Sequence, residues 1–206
     1  MDDRATHWDT THTDRGDTSV SWFQAVPTPS LHVIDVLGIA PPARVVDVGG
    51  GAASLVDHLM TLGFTDLTVL DISAVALTVA RARLGEQASV SWVHEDVLTW
   101  RPQRRFDLWH DRAVFHFLVG PADQQRYLAT LRAALAPAGA VIIATFAPDG
   151  PNHCSGLPVA RYSAEDLTAL LGDAFTVVET FREEHTTPTG ALQPFTWIAA
   201  RACFVT

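Results

Sequence analysis

Cysteine is nearly absent from the 206 residues: Cys154 and Cys203 stand apart, with no Cys-x-x-Cys pair. That excludes a disulfide framework and a zinc cage as the source of stability. His110, His153 and Cys154 share no ligand spacing on one element, so no metal is expected. Long apolar runs are also missing. Those such as Ala138–Ala144 fall far short of the ~20 residues that a bilayer span needs, so no membrane partner is expected. Basic residues are outnumbered, 14 against 23 acidic, for a net charge of -9. A polyanion would be repelled overall, which disfavours nucleic acid as a partner. The chain lacks the basic start and apolar stretch of a secretory leader, since Met1-Asp2-Asp3-Arg4 is acidic, and a cytoplasmic location is expected. No internal repeat or low-complexity segment occurs, and no feature speaks to oligomeric state.

What is present is apolar. With 48% hydrophobic and 18% charged residues, the chain has enough to bury a substantial core, and its length suits one domain. Residues 1–30, rich in Thr, Asp, His and Trp, have neither helical nor strand periodicity and end at Pro27-Thr28-Pro29-Ser30; they read as a cap or flap over a domain spanning 31–206. Ser30 is placed to cap a helix through Leu31, Ile34 and Leu37, which Gly38 and Pro41-Pro42 stop.

From residue 43, β-branched runs alternate with amphipathic segments at βαβ spacing. Strands are predicted near Arg44–Val48, Leu67–Leu70, Val90–His94, Phe106–His110 and Ala140–Phe146. Helices are predicted over Ala53–Leu62, Ala74–Leu84, Pro121–Leu135 and Ala164–Leu171. Phe175–Glu184 and Phe195–Phe204 read as a terminal antiparallel hairpin about the Thr187–Gly190 turn. The expected fold class is therefore α/β and Rossmann-like: a seven-stranded, mostly parallel sheet with helices on both faces.

The strongest motif is Val45-Val46-Asp47-Val48-Gly49-Gly50-Gly51-Ala52-Ala53-Ser54, a strand running through glycines into a helix. Glycines admit a ligand close to the backbone. A dinucleotide fingerprint would need a glycine at position 54, where Ser54 stands. Asp47, at the strand end, would repel a pyrophosphate and attract a cation. Asp71, followed by Ile72, ends the next strand, where a carboxylate can accept both hydroxyls of a ribose. Asp96-Val97 closes the third, an acid and an apolar residue that suit an amino group and a ring face. Three successive strands thus end in acids on the edge where such sheets bind ligands.

This set resembles the class I S-adenosylmethionine-dependent methyltransferase family over residues 43–204. The resemblance implies that Asp47, Gly49, Gly50 and Gly51 hold the methionine end of S-adenosylmethionine, Asp71 and Ile72 the ribose side, and Asp96 with Val97 the adenine, with S-adenosylhomocysteine as product. The family's loop often has a third alternate glycine, where this chain has Ala53.

The fourth strand leads into His110-Asp111-Arg112-Ala113-Val114-Phe115-His116. It lacks the Asn/Asp-Pro-Pro-aromatic segment of methyltransferases that act on base amines. Asp111-Arg112-Ala113, Pro121 and Arg126-Tyr127 look like the corresponding stretch of thiopurine methyltransferase-like enzymes, and Trp8 with Trp22-Phe23-Gln24 resembles their aromatic flap. That similarity implies a small-molecule acceptor, methylated on sulfur, nitrogen or oxygen. His116 and Asp111 are the candidate catalytic groups, Asp111 and Trp22 also candidate cofactor contacts. Phe23, Arg112, His116, Cys154, Arg161 and Tyr162 are candidate substrate contacts. Two alternatives stay open: a protein-lysine methyltransferase, which places a similar acid, base and small residue after this strand, and a non-catalytic S-adenosylmethionine-binding module, since fold alone does not establish chemistry.

Overall fold

The β-branched runs become the strands of one mostly parallel sheet, and the apolar-striped segments between them become the helices on its faces. The structure, a computed structural model, describes residues 3–16, 18–85 and 89–203. In chain order the elements are α1 (Asp3–Arg15), α2 (Thr28–Val36), β1 (Arg44–Val48), α3 (Leu55–Thr61), β2 (Asp66–Asp71), α4 (Ala74–Leu84), β3 (Val90–His94), β4 (Phe106–Arg112), α5 (Pro121–Ala134), β5 (Leu135–Phe146), the two-residue strands β6 (His153–Cys154) and β7 (Leu157–Pro158), α6 (Ala164–Leu171), β8 (Phe175–Thr186) and β9 (Leu192–Ala202). A 3-10 turn, Phe115–Phe117, follows β4.

The seven-stranded sheet has the order β3-β2-β1-β4-β5-β9-β8. β1 to β5 run parallel, whereas β9 is antiparallel to both β5 and β8. The strand order reverses between β1 and β4, so their carboxyl ends open a crevice, the place where sheets of this kind take ligands. The chain then rises from both strands into glycine-rich and polar loops.

Period-two alternation divides the core. Val46, Val48 and Trp109 face α5, with Tyr127 and Leu131 packed on them; Val45, Leu108 and Trp197 face α2 and α3, with Val33 and Leu59. Both layers are essentially dry, with Val46, Trp109, Tyr127 and Trp197 at zero exposure. Ser163 and Asp166 form a reciprocal cap at α6, and Ser73 caps α4 by accepting from the Ala76 amide.

Several boundaries depart from the sequence reading. Residues 3–15 form a helix, not an irregular flap. Ser30 does not cap α2, which starts at Thr28 with prolines at its entrance; Ser30 lies in the first turn with its hydroxyl buried against the sheet. α3 begins at Leu55, not Ala53, because the glycine loop folds back through a turn in which the Ala53 amide donates to Gly50 O. The last strand ends at Ala202, and Phe204, placed in it from sequence, lies outside the described residues.

Candidate active site

The crevice at the strand ends is a cleft partly open to solvent. Its floor is the glycine loop after β1. Gly49 has φ +67°, and a Cβ there would lie 2.1 Å from Val114 Cγ2; a Cβ on Gly51 would lie 2.6 Å from Asp71 Oδ2. Val114 and Asp71 fill the space a side chain would need at these places, so the loop packs closely on its neighbours, and Gly49 and Gly51 line the cleft. Asp71 and Ile72 from the end of β2 form one wall, and Glu95, Asp96 and Val97 after β3 continue it. This succession of acids and an apolar face matches what the sequence placed there.

Asp71 is held from below. Its Oδ1 accepts the Ser73 amide at 2.8 Å, and Oδ2 faces the glycine loop. Burial pushes its carboxyl up to about 7, against the pull of the Ser73 amide, and the neighbouring Asp47 and Asp9 add to the rise. A pair of hydroxyl donors would favour the charged form.

The roof is α1. Trp8 and His12 project into the cleft, with Trp8 packed edge-on against Trp22 and Phe117. Polar contacts at both Arg4 and Asp9 fasten the helix. Arg4 pairs with Asp96 at 3.0 Å, and Asp9 Oδ1 accepts from Ser73 Oγ at 2.7 Å and from the Val75 amide at 3.2 Å, bridging α1 to the start of α4.

A second, adjoining chamber lies against the start of α2, lined by Phe23, Gln24, Gly50, Asp47, His110 and Ser30, with Trp22 and Arg112 shared between the two. Asp47 and His110 are neighbours in the parallel register of β1 and β4. They point to the same face, so His110 Nδ1 sits 2.7 Å from Asp47 Oδ1, and its Nε2 meets the Ser30 hydroxyl at 2.9 Å. A carboxylate only accepts, so Nδ1 donates to it. The chain fixes Asp47 with its other oxygen under Gly50. Replacing His110 by alanine is expected to release that carboxylate and weaken S-adenosylhomocysteine binding about tenfold, as calorimetric titration would measure. A Kd equal to that of the wild type would remove His110 from the site.

Alternation along β4 decides the fate of the next residues. His110 and Arg112 face the chambers; Asp111, between them, faces α5. Asp111 has zero exposure, takes the Val114 and Phe115 amides at 2.9 and 3.1 Å and receives the Tyr127 hydroxyl at 2.6 Å. Burial raises its carboxyl to about 6 even so. It braces the turn after β4 and reaches neither chamber, so the catalytic and cofactor contacts expected of it are not available to it. His116 is likewise sealed, at zero exposure between Phe117 and Phe146. Burial, with Arg112 second, drives its pKa down to about 3. A neutral ring packed in the wall behind the cleft is not placed to serve as base or substrate contact.

Of the other expected contacts, Cys154 on β6 lines the cleft. Arg161 and Tyr162 belong to the supporting wall: Arg161 donates to Gly150 O at 3.2 Å, and Tyr162 packs at a tilt against Phe115 and accepts from Gln124 Nε2 at 2.9 Å. Arg4, His12, Ser30 and Glu95 were not singled out from sequence as ligand contacts. Among the described residues no group of three or more His, Cys, Asp and Glu could hold a metal ion, and no helix is long and apolar enough to cross a membrane.

Residues 45–139 match the family model described as a methyltransferase domain. The chain is 28% identical over 172 residues to thiocyanate methyltransferase 1 of Arabidopsis thaliana, covering 82% of this chain and 74% of that protein. It is also 28% identical to EEF1A lysine methyltransferase 2 of Danio rerio, covering 65% of this chain but only 61% of that protein. Among solved structures, the N-methyltransferase NodS of Bradyrhizobium japonicum in complex with S-adenosylhomocysteine superposes with a TM-score of 0.72 at 16% identity, covering 96% of this chain and 99% of that one. At that identity the superposition establishes the fold.

Proposed function

We propose that the chain is a class I S-adenosylmethionine-dependent methyltransferase, in keeping with the methyltransferase-domain match and the methyltransferase relatives, and that it methylates a small molecule, on sulfur, nitrogen or oxygen, held in the cleft. The observation that carries this reading is the roof. α1 and Trp22 lie over the strand ends, and Ala113, Val114, Phe117 and Leu118 wall the inner end with apolar surface. That is a lined pocket for a compact acceptor, not an open acidic groove for a protein side chain. The small-molecule reading is also in keeping with the thiocyanate methyltransferase likeness.

The site fits the cofactor on an observation internal to the chain: Gly49 and Gly51 line the cleft beside the buried Asp71 carboxyl, which the Ser73 amide holds on the wall. Asp71 and Ile72 would hold the ribose side, Asp96 and Val97 the adenine, and Asp47 with Gly49, Gly50 and Gly51 the methionine end. When bound, S-adenosylmethionine supplies a methyl carbon already activated by its sulfonium. The protein's part is then to orient the acceptor in line and exclude water. Trp8, Trp22 and Phe117 do the excluding. The cap expected over residues 1–30 is carried in this reading by α1 and Trp22.

The test is methyl transfer from labelled S-adenosylmethionine to a panel of small thiols, phenols and amines, run beside a protein extract. Label on a small acceptor is the expected result. Label confined to a protein would favour the lysine methyltransferase alternative, and tight cofactor binding without any transfer would favour a binding module.

A further inference from the structure

Arg112 is a buried cation whose hydrogen-bonding capacity is only partly used. Its side chain is 9% exposed. Nη1 donates to the Trp22 carbonyl at 2.9 Å, and the guanidinium lies 4.6 Å over the centre of the Phe195 ring, which together fix its plane. Its counter-charge is Glu183, 3.7 Å from Nη2 and so beyond hydrogen-bonding distance. The two Glu183 oxygens are already occupied, accepting from Gln24 Nε2 and Trp197 Nε1, each at 2.8 Å. Glu183 thus offsets the charge that burial penalises and leaves the arginine's donors open.

Those unused donors are Nε and Nη2, both buried with essentially no solvent-exposed surface and neither with a hydrogen-bond partner among the described residues. They lie on one edge of the guanidinium, as two parallel N–H groups, at a residue that lines both chambers. Buried donors are costly to leave unmade. Such an edge matches the two oxygens of a carboxylate, which it binds as a bidentate pair. Phe117, Leu118 and Val114 supply an apolar wall nearby for the body of such a molecule.

We propose that the Nε–Nη2 edge of Arg112 receives a carboxylate of the methyl acceptor, so that the acceptors of this enzyme are small organic acids. The inference rests on the small-molecule reading above and gives it a substrate class. Arg112 is then the residue that orients the acceptor, while the apolar wall sets the size of the group it carries.

The experiment is calorimetric titration of the S-adenosylhomocysteine-loaded protein with benzoate and 2-mercaptobenzoate, and with their neutral counterparts benzamide and methyl 2-mercaptobenzoate. Wild type, Arg112→Met and Arg112→Lys are compared. The acids are expected to bind the wild type roughly 10- to 100-fold more tightly than the neutral compounds. Arg112→Met should abolish that preference. Arg112→Lys should keep only part of it, because an ammonium supplies charge without the fork, and it carries the test if the methionine variant does not fold. S-adenosylhomocysteine affinity should be unchanged in both.

Equal binding of acid and neutral compound, no binding of either acid, or a preference that survives Arg112→Met would overturn the proposal. So would a loss of S-adenosylhomocysteine affinity in Arg112→Met, which would assign the edge to the cofactor's own carboxylate. Wild-type binding of S-adenosylhomocysteine, measured first, separates the two levels: its absence overturns the methyltransferase reading itself.

Discussion

Asp71→Ala is expected to weaken S-adenosylhomocysteine binding about 100-fold or more, because two hydroxyl donors lose a charged acceptor, each such bond contributing roughly 1.5–3 kcal/mol. Asp71→Asn should fall between, since its amide offers one acceptor and no charge. The wild type should also show a pH dependence that both variants lack. Burial holds the Asp71 carboxyl up at about 7, so below that pH the free protein carries it protonated. Binding that requires the charged form must then release the proton. The Kd is expected to rise up to about tenfold for each pH unit below 7 and to level off above it. Calorimetric heats near pH 6 should vary with the ionisation enthalpy of the buffer. The stability of the free protein has the opposite sign: a raised folded-state pKa contributes stability that is present below about 4, the ordinary carboxylate value, and is lost as the pH rises through 7. A pH-independent Kd, or an Asp71→Ala variant that binds as the wild type does, would remove this carboxylate from the ligand site.

The three strand-end acids were legible because each of their signals is local. A β-branched run ending in an acid and then a helical stripe names both the strand and the edge on which the acid lies, and Asp71 and Asp96 lie on the cleft wall as expected. Asp111 was misjudged for want of a single further step. Leu108, His110 and Arg112 share one face of β4, while Trp109 and Asp111 share the other. The same strand thus sends Arg112 toward the cleft and Asp111 toward Tyr127. The helix over residues 3–15 was missed for a different reason. Its Thr10, Thr11 and Thr13 hydroxyls turn back onto carbonyls four residues earlier, and it lacks a continuous apolar stripe because it covers a cleft instead of the core. Its anchors, Arg4 to Asp96 and Asp9 to Ser73, join residues far apart in sequence. No window along the chain contains both partners.

That placement of Asp111 leads to the largest expected effect on stability. Asp111→Ala would strip acceptors from the Val114 and Phe115 amides and from the Tyr127 hydroxyl, and Asp111, Phe115 and Tyr127 have no exposure to solvent that could replace them. Breaking one such set of buried bonds is expected to cost about 3–5 kcal/mol, read as a fall in the urea midpoint at constant slope. Tyr127→Phe acts on the same network from the other side. It removes the phenol that donates to Asp111 and accepts from Trp109 Nε1 at 2.9 Å, for a loss of about 1.5–3 kcal/mol. The two losses should not add, since each variant disables the bond that the other shares, and the double variant should be less destabilised than the sum by roughly 1–2 kcal/mol. If Asp111 instead touched the ligand, the pattern would reverse: Asp111→Ala would keep its urea midpoint and lose S-adenosylhomocysteine binding, while Tyr127→Phe would leave binding and coupling untouched. The burial and the three donors around this carboxylate place the effect on the turn that carries Val114 against Gly49, and hence on the shape of the glycine loop, reached only through the folding of the wall.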